Sequence, residues 1–259
     1  MADSERPRIY EVAEAQAPLR HAPSPDATLD TEALKGERAA VFEITDEGWA
    51  RGRLECDGYE GFLPASALAP PGPVPTHKVI ALRTLVFPGP SIKLPPIEAL
   101  PLGARLAIAR SEGSFAVTAA GGYLPARHLV PIDVNETDFV AVAERFVGAP
   151  YLWGGKTSLG LDCSGLVQVA LGACGIPCPR DTDVQEPAFA LSPAPLDRPQ
   201  RGDLVFWKGH VAIVRDATTL LHANAFHVAV AIEPIAEAIE RIRDAGIDVT
   251  SVRRPGYAA

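Results

Sequence analysis

The sequence predicts two small all-β barrels followed by an α+β domain, and three observations carry that reading. Residues 17 to about 132 are short alternating apolar runs cut by Gly and Pro. Within them an eight-residue pattern occurs twice, the mark of a repeated unit. From Asn135-Glu136-Thr137 onward helical spacing comes first and alternating strands follow, the element order of an α+β domain.

The barrels come first in the chain, after an N-terminal extension over residues 1–16. Alternation in Ala40-Val41-Phe42-Glu43-Ile44 and in Trp49-Ala50-Arg51-Gly52-Arg53-Leu54 predicts strands in a first barrel over 17–70. Its Gly61-Phe62-Leu63-Pro64-Ala65-Ser66-Ala67-Leu68 returns as Gly122-Tyr123-Leu124-Pro125-Ala126-Arg127-His128-Leu129 in a second barrel over 80–132. Weaker echoes link Leu19-Arg20 with Leu82-Arg83, and Gly36-Glu37-Arg38-Ala39 with Gly103-Ala104-Arg105-Leu106. Between the copies lies a stiff, Pro-rich connector over 71–79. Aligned on the repeat, Glu37 faces Ala104 and Tyr59 faces Ala120, so the first copy carries an acid and a phenol that the second lacks. Either those residues serve the first barrel in particular, or they are surface drift.

The third domain spans 133–259. Asn135 or Thr137 is placed to cap a helix through Phe139, Val140, Val142, Ala143, Phe146 and Val147, ended by Gly148-Ala149-Pro150. A second helix starts near Cys163 and stops before Gly175-Ile176-Pro177, and Pro179 to Gly202 reads as a polar loop. Strands follow at Asp203–Trp207, His210–Val214, Thr219–Ala223 and Val228–Ile232, with a turn at Lys208-Gly209 and a last helix from Glu233 to Ala245.

Composition limits the function. At 259 residues, 47% hydrophobic and 22% charged, the chain has enough apolar sequence for more than one core. A net charge of −8 with scattered basic residues excludes a phosphate-tracking nucleic-acid surface. Met1-Ala2-Asp3-Ser4-Glu5-Arg6-Pro7 carries acids and no apolar signal core, and about 18 consecutive apolar residues occur nowhere, so the expected location is cytoplasmic with no membrane partner. Cys56, Cys163, Cys174 and Cys178 include no CxxC pair. Cys174 and Cys178 have no second ligand pair at zinc spacing, so reduced thiols and no metal are expected.

Chemistry centres on Leu161-Asp162-Cys163-Ser164-Gly165-Leu166-Val167, which begins six residues after the end of Pro150-Tyr151-Leu152-Trp153-Gly154-Gly155. A cysteine between small polar residues and an apolar helical run sits at a helix N-terminus, where free N–H groups and the helix dipole favour a thiolate. The competing reading is a buried structural thiol. A nucleophile needs a base and the base an orienting group. His210 opens one strand and His222 lies 12 residues later near the end of the next, so an antiparallel pair brings the two together. In that arrangement Cys163 attacks a carbonyl carbon, His210 holds the thiol proton and passes it to the leaving amine, and His222 fixes the tautomer of His210. His227 is the rival for the third position.

The motif order Pro-Tyr-x-Trp-Gly-Gly, Leu-Asp-Cys-Ser-Gly-Leu, Arg-Gly-Asp-Leu-Val-Phe-Trp, Gly-His-Val-Ala-Ile-Val and Leu-His-Ala-Asn-Ala resembles the NlpC/p60 family of papain-like cysteine peptidases, which cut bacterial cell-wall peptides. The repeated Gly-aromatic-Leu pattern resembles bacterial SH3-like (SH3b) domains. The resemblance implies a papain-like α+β catalytic domain after two SH3b-like barrels, with no cofactor. Its implied catalytic set is Cys163, His210 and His222, with Tyr151 and the backbone N–H of Cys163 on the oxyanion side.

The barrels together with Pro179-Arg180-Asp181-Thr182-Asp183-Val184-Gln185 resemble one branch in particular, the γ-D-glutamyl-L-diamino-acid endopeptidases. That likeness implies a murein tripeptide or tetrapeptide substrate with a free N-terminal L-Ala, in wall-peptide recycling, and a first barrel that closes one end of the cleft. It carries the branch's acid and tyrosine onto Glu37 and Tyr59. Glu37 and Asp162 are then expected to neutralise the substrate's ammonium, costly to bury unpaired, and Tyr59 to fix its position. Ser164, Asp181 and Thr182 become contacts to D-Glu, with Asp181 alternatively capping a turn. Two other classes stay open on sequence: a non-catalytic wall-binding protein built on the barrels, and a papain-like amidase or acyltransferase.

Overall fold

The computed structural model describes residues 6–190 and 192–255. The acidic start at 1–5, Leu191 inside the expected polar loop, and 256–259 at the end of the expected third domain lie outside the described residues. The chain forms two compact units, which divide between Val134 and Asn135.

The N-terminal unit holds both barrels, each with its own core. In the first, a seven-stranded antiparallel sheet runs in the order Leu29–Leu34, Gln16–Arg20, Glu60–Pro64, Trp49–Leu54, Arg38–Ile44, Arg8–Val12, Leu68–Ala69. This barrel therefore begins at Arg8, inside the stretch expected to be an extension. Ile9 is exposed and only Val12 is fully buried, so the run gives little alternation to read. The second barrel is split into small sheets built from eight strands, the first of which, His77–Val79, pairs with Leu129–Pro131 and Arg105–Leu106. The connector thus ends at Thr76 rather than at 79, because a three-residue strand is too short to show a period.

The repeat has a packing cause. A Cβ on Gly61 would fall 2.2 Å from Leu19 Cδ2, and one on Gly122 would fall 2.5 Å from Val86 Cγ1. Both glycines let an apolar side chain of a neighbouring strand close over the backbone. The structural counterpart of Leu19 is therefore Val86, and the echo between Leu19-Arg20 and Leu82-Arg83 is four residues out of register. The other echo is true: Gly36 N–H donates to Val12 O at 3.0 Å, and Gly103 N–H donates to Val79 O at 2.9 Å.

The C-terminal unit contains helices α1 (Phe139–Glu144), α2 (Cys163–Ala173), α3 (Thr182–Ala188) and α4 (Ile235–Asp244). Its five-stranded antiparallel sheet runs Ala229–Pro234, Thr219–Asn224, His210–Val214, Leu204–Trp207, Val249–Arg253. Two local expectations are corrected and one strand is added. Asp138, not Asn135 or Thr137, caps α1, with its Oδ1 accepting from Val140 N at 2.9 Å and Ala141 N at 3.2 Å. The stretch read as a polar loop contains α3. The strand Val249–Arg253 completes the sheet edge beside Leu204–Trp207. Among the described residues no helix is long and apolar enough to cross a membrane.

Candidate active site

Helix α2 starts where it does because Asp162 stops the preceding strand and caps the helix. Its Oδ1 accepts from Gly165 N at 2.7 Å, the third residue of α2. Gly165 is needed at that point, since a Cβ there would lie 2.4 Å from the carbonyl oxygen of Gly155. The same carboxylate accepts from Gly154 N at 2.8 Å, which ties the Trp-Gly-Gly segment to the helix start. Cys163 is consequently the first residue of a helix whose opening turn is fixed on two sides.

A buried ion pair completes this support. Arg180, with no side-chain exposure, holds Asp162 in a bidentate pair, Nη1 to Oδ1 at 2.9 Å and Nη2 to Oδ2 at 2.8 Å. Its Nη1 also donates to Ser164 Oγ at 2.8 Å, and Ser164 Oγ donates to Asp162 Oδ1 at 3.2 Å. Gln185 on α3 donates from Nε2 to Ser164 O at 3.0 Å and to Pro179 O at 2.9 Å.

Two expected substrate contacts, Asp162 and Ser164, are members of this network. Asp162 already takes five donors from Gly154, Ser164, Gly165 and Arg180, which fills the lone-pair sites of a carboxylate. Ser164 is likewise committed, and both side chains are buried. Both side chains shape the helix start.

Helix α2 packs against the strands His210–Val214 and Thr219–Asn224. The sulfur of Cys163 accepts from the backbone N–H of Val211, the residue after His210, and from that of Ser164. His210 Nε2 and His222 Nδ1 are 2.8 Å apart. His222, rather than His227, therefore joins His210; His227 bonds Asn224 Oδ1 through its N–H at 2.8 Å and lies 3.0 Å from it through Nδ1. The series extends one residue further than the sequence reading: His222 Nε2 is 2.6 Å from Glu233 Oε1, and Arg241 of α4 also bonds that oxygen.

The electrostatics at Cys163 oppose the thiolate that a helix N-terminus favours. Burial, then the Asp162 carboxylate, pushes the Cys163 thiol up to about 12, against its two backbone donors. Burial and the neighbouring His222 push His210 well below the ordinary imidazole value. Both shifts favour a neutral thiol and a neutral imidazole near pH 7. Burial, then the charges at Cys163 and Asp162, raise Tyr151 to about 12, so its phenol remains a donor beside the sulfur. Burial raises the Glu233 carboxyl, but the bonds from His222 and Arg241 outweigh it and hold it at about 2.

The remaining predicted residues are placed as follows. Asp181 occupies the N-cap position of α3, but its side chain makes no capping bond, and Thr182 is the first residue of that helix; both are half-buried. In the N-terminal unit Glu37 is buried, with Oε2 accepting from Leu34 N at 2.8 Å. Tyr59 packs against the first barrel's core.

The profile of the NlpC/P60 family matches residues 148–245, which contain Cys163, His210 and His222. The C-terminal unit carries an NlpC/P60 domain. A profile described as the bacterial dipeptidyl-peptidase Sh3 domain matches residues 19–68, so an SH3-like domain precedes the NlpC/P60 domain. Dipeptidyl-peptidase 6 of Lysinibacillus sphaericus is 37% identical over 111 residues, 40% of this chain and 41% of that protein. The gamma-D-glutamyl-L-lysine dipeptidyl-peptidase of Bacillus subtilis is 29% identical over 240 residues, 83% of this chain and 78% of that protein. A crystal structure of an NlpC/P60 family protein from Bacillus cereus shares the fold, with a TM-score of 0.79 over 96% of this chain and 99% of that one at 20% identity. An NlpC/P60 domain is a cysteine peptidase domain, and the chemistry is hydrolysis.

Sequence reasoning missed Arg180, Gln185 and Glu233 as members of the site. Arg180 and Gln185 stood inside a quoted motif. Glu233 had no signal of its own, because it was read as the start of a helix.

Proposed function

We propose that this chain is a cysteine endopeptidase that hydrolyses the bond between γ-D-Glu and an L-diamino acid, meso-diaminopimelate or L-Lys, in murein peptides with a free N-terminal L-Ala. The observation that carries the reading is the site itself: Cys163 at the start of α2 against Val211 N–H, and His210 bonded to His222 at 2.8 Å. The similarity to the gamma-D-glutamyl-L-lysine dipeptidyl-peptidase of Bacillus subtilis supports the substrate class.

In the proposed reaction Cys163 Sγ attacks the γ-carbonyl carbon of D-Glu as its proton passes to His210 Nδ1. Charge develops on the carbonyl oxygen, where the free N–H of Cys163 at the helix start and the protonated phenol of Tyr151 are donors. His210 returns the proton to the departing α-amine, leaving a thioester on Cys163. Water then attacks the thioester with His210 again taking the proton, and the acid and free thiol are released. Asp181 and Thr182 at the start of α3 serve the D-Glu carboxylate side of the peptide.

Selection for a free amine is assigned to Glu37 and Tyr59. An α-ammonium is costly to bury without a counter-charge, and Asp162 already shares its charge with Arg180. Glu37 supplies that charge and Tyr59 a hydrogen-bonding hydroxyl. A free-amine requirement confines the enzyme to peptides already released from the wall, which fits recycling in the cytoplasm. The test is cleavage of L-Ala-γ-D-Glu-meso-diaminopimelate and of its N-acetylated form by the same preparation. The expected result is hydrolysis of the free-amine peptide alone; equal rates on both would remove the amine-selection proposal.

A further inference from the structure

We propose that Glu233, held by Arg241, is a positioning residue that sets the tautomers of both histidines and so leaves Nδ1 of His210 as the proton acceptor. The inference rests on the reading of Cys163 and His210 as nucleophile and base.

The sheet register places these groups together. His222 pairs with Ala231 across the ladder from Thr219–Asn224 to Ala229–Pro234, and Leu220 pairs with Glu233. Side chains two apart on a strand share a face, so Glu233 is the diagonal neighbour of His222. Its Oε1 lies 2.6 Å from His222 Nε2 in a buried contact. The carboxylate is fixed in turn by Arg241 from α4, whose guanidinium lies 4.3 Å from the centroid of Phe226. Glu233 is 8% exposed and His222 1%, so water does not compete freely for either partner.

The hydrogen bonds then have only one direction for neutral rings. An ionised carboxylate only accepts, so His222 Nε2 carries a hydrogen and donates it to Glu233. A neutral imidazole has one N–H, so His222 Nδ1 is bare and accepts across the 2.8 Å contact from His210 Nε2–H. His210 Nδ1 is bare by the same rule. The nitrogen not used for orientation is therefore the one able to take the thiol proton. Without the carboxylate, His222 Nδ1 can face His210 with or without a hydrogen, and the form that carries one leaves the hydrogen of His210 on Nδ1, where the base must accept. The two-histidine set is thus a four-member series, Arg241 to Glu233 to His222 to His210, anchored on the strand-to-α4 junction.

The test is nuclear magnetic resonance of protein labelled with nitrogen-15 histidine, at about pH 8 so that ordinary imidazoles are neutral. Long-range proton–nitrogen correlations report the tautomer of each ring without any substrate. The wild type should show His210 and His222 both as Nε2–H tautomers. Glu233→Leu should mix the tautomers and lower kcat by about 10- to 100-fold with KM little changed, the size expected for an outer orienting partner. Glu233→Gln, which keeps an acceptor oxygen, should restore the Nε2–H tautomers and most of kcat. An Nδ1–H tautomer at His210 in the wild type, or unchanged tautomers and kcat in Glu233→Leu, would overturn the proposal. If Glu233→Leu does not fold, the wild-type and Glu233→Gln spectra decide it. Wild-type tautomers as expected without hydrolysis of the murein peptide would support this assignment and overturn the substrate reading.

Discussion

At Cys163 two opposed influences meet. The helix start and the N–H groups of Ser164 and Val211 favour a thiolate, while burial and the Asp162 carboxylate favour the thiol, and the second pair wins. Alkylation by iodoacetamide should consequently be slow at pH 7 and rise about tenfold per pH unit beyond the ordinary thiol range. A rate that levels off below pH 7 would contradict this. Because His210 is held below the usual imidazole value, its protonation limits kcat/KM only on the acid side of that value. Arg180 gives a second prediction: Arg180→Met leaves Asp162 buried without its partner and should cost about 3–5 kcal/mol in denaturant unfolding of the C-terminal unit. Cys163, His210 and His222 were legible as residue types in an ordered motif. Arg180 and Glu233 were not, since an acid–base pair distant in sequence leaves no local period.

At the level of elements, α2 is the part that must not move. Gly165→Ala puts a Cβ 2.4 Å from Gly155 O and should cost about 1–3 kcal/mol and lower kcat. Gly172→Ala, in the same helix with nothing within 4 Å, should instead stabilise by about 0.5–1 kcal/mol and leave kcat unchanged. Equal effects of the two would show that close approach at Gly165 is not the cause. The apolar runs of α2 and the central strands were readable, but α3 was not, for it is seven residues long, contains Pro187 and buries only Gln185. The α4 boundary had the larger consequence. Reading Glu233 as helical turned it away from His222, whereas the strand Ala229–Pro234 keeps it in the sheet.

Across the whole molecule, the two repeated barrels differ at Glu37 against Ala104 and at Tyr59 against Ala120. Glu37 N–H donates to Leu34 O at 2.9 Å and Ala104 N–H donates to Pro101 O at 3.2 Å, so the two positions are structurally equivalent, and only the first carries a charge. Replacing that charge by Glu37→Gln should raise KM for the free-amine peptide by about tenfold or more with kcat nearly kept. Steady-state kinetics showing an unchanged KM would leave Glu37 as a residue of its own turn. The repeat was legible because a glycine under an apolar side chain is needed twice, at Gly61 and Gly122. The strands at Arg8–Val12 and His77–Val79 were hidden by their length or their exposed residues. The account as a whole stands on covalent hydrolysis by Cys163. Mass-resolved chromatography of L-Ala-γ-D-Glu-meso-diaminopimelate after incubation should give L-Ala-γ-D-Glu and free diaminopimelate with the wild type and neither with Cys163→Ala. The same products from both proteins, or an intact peptide with both, would contradict it.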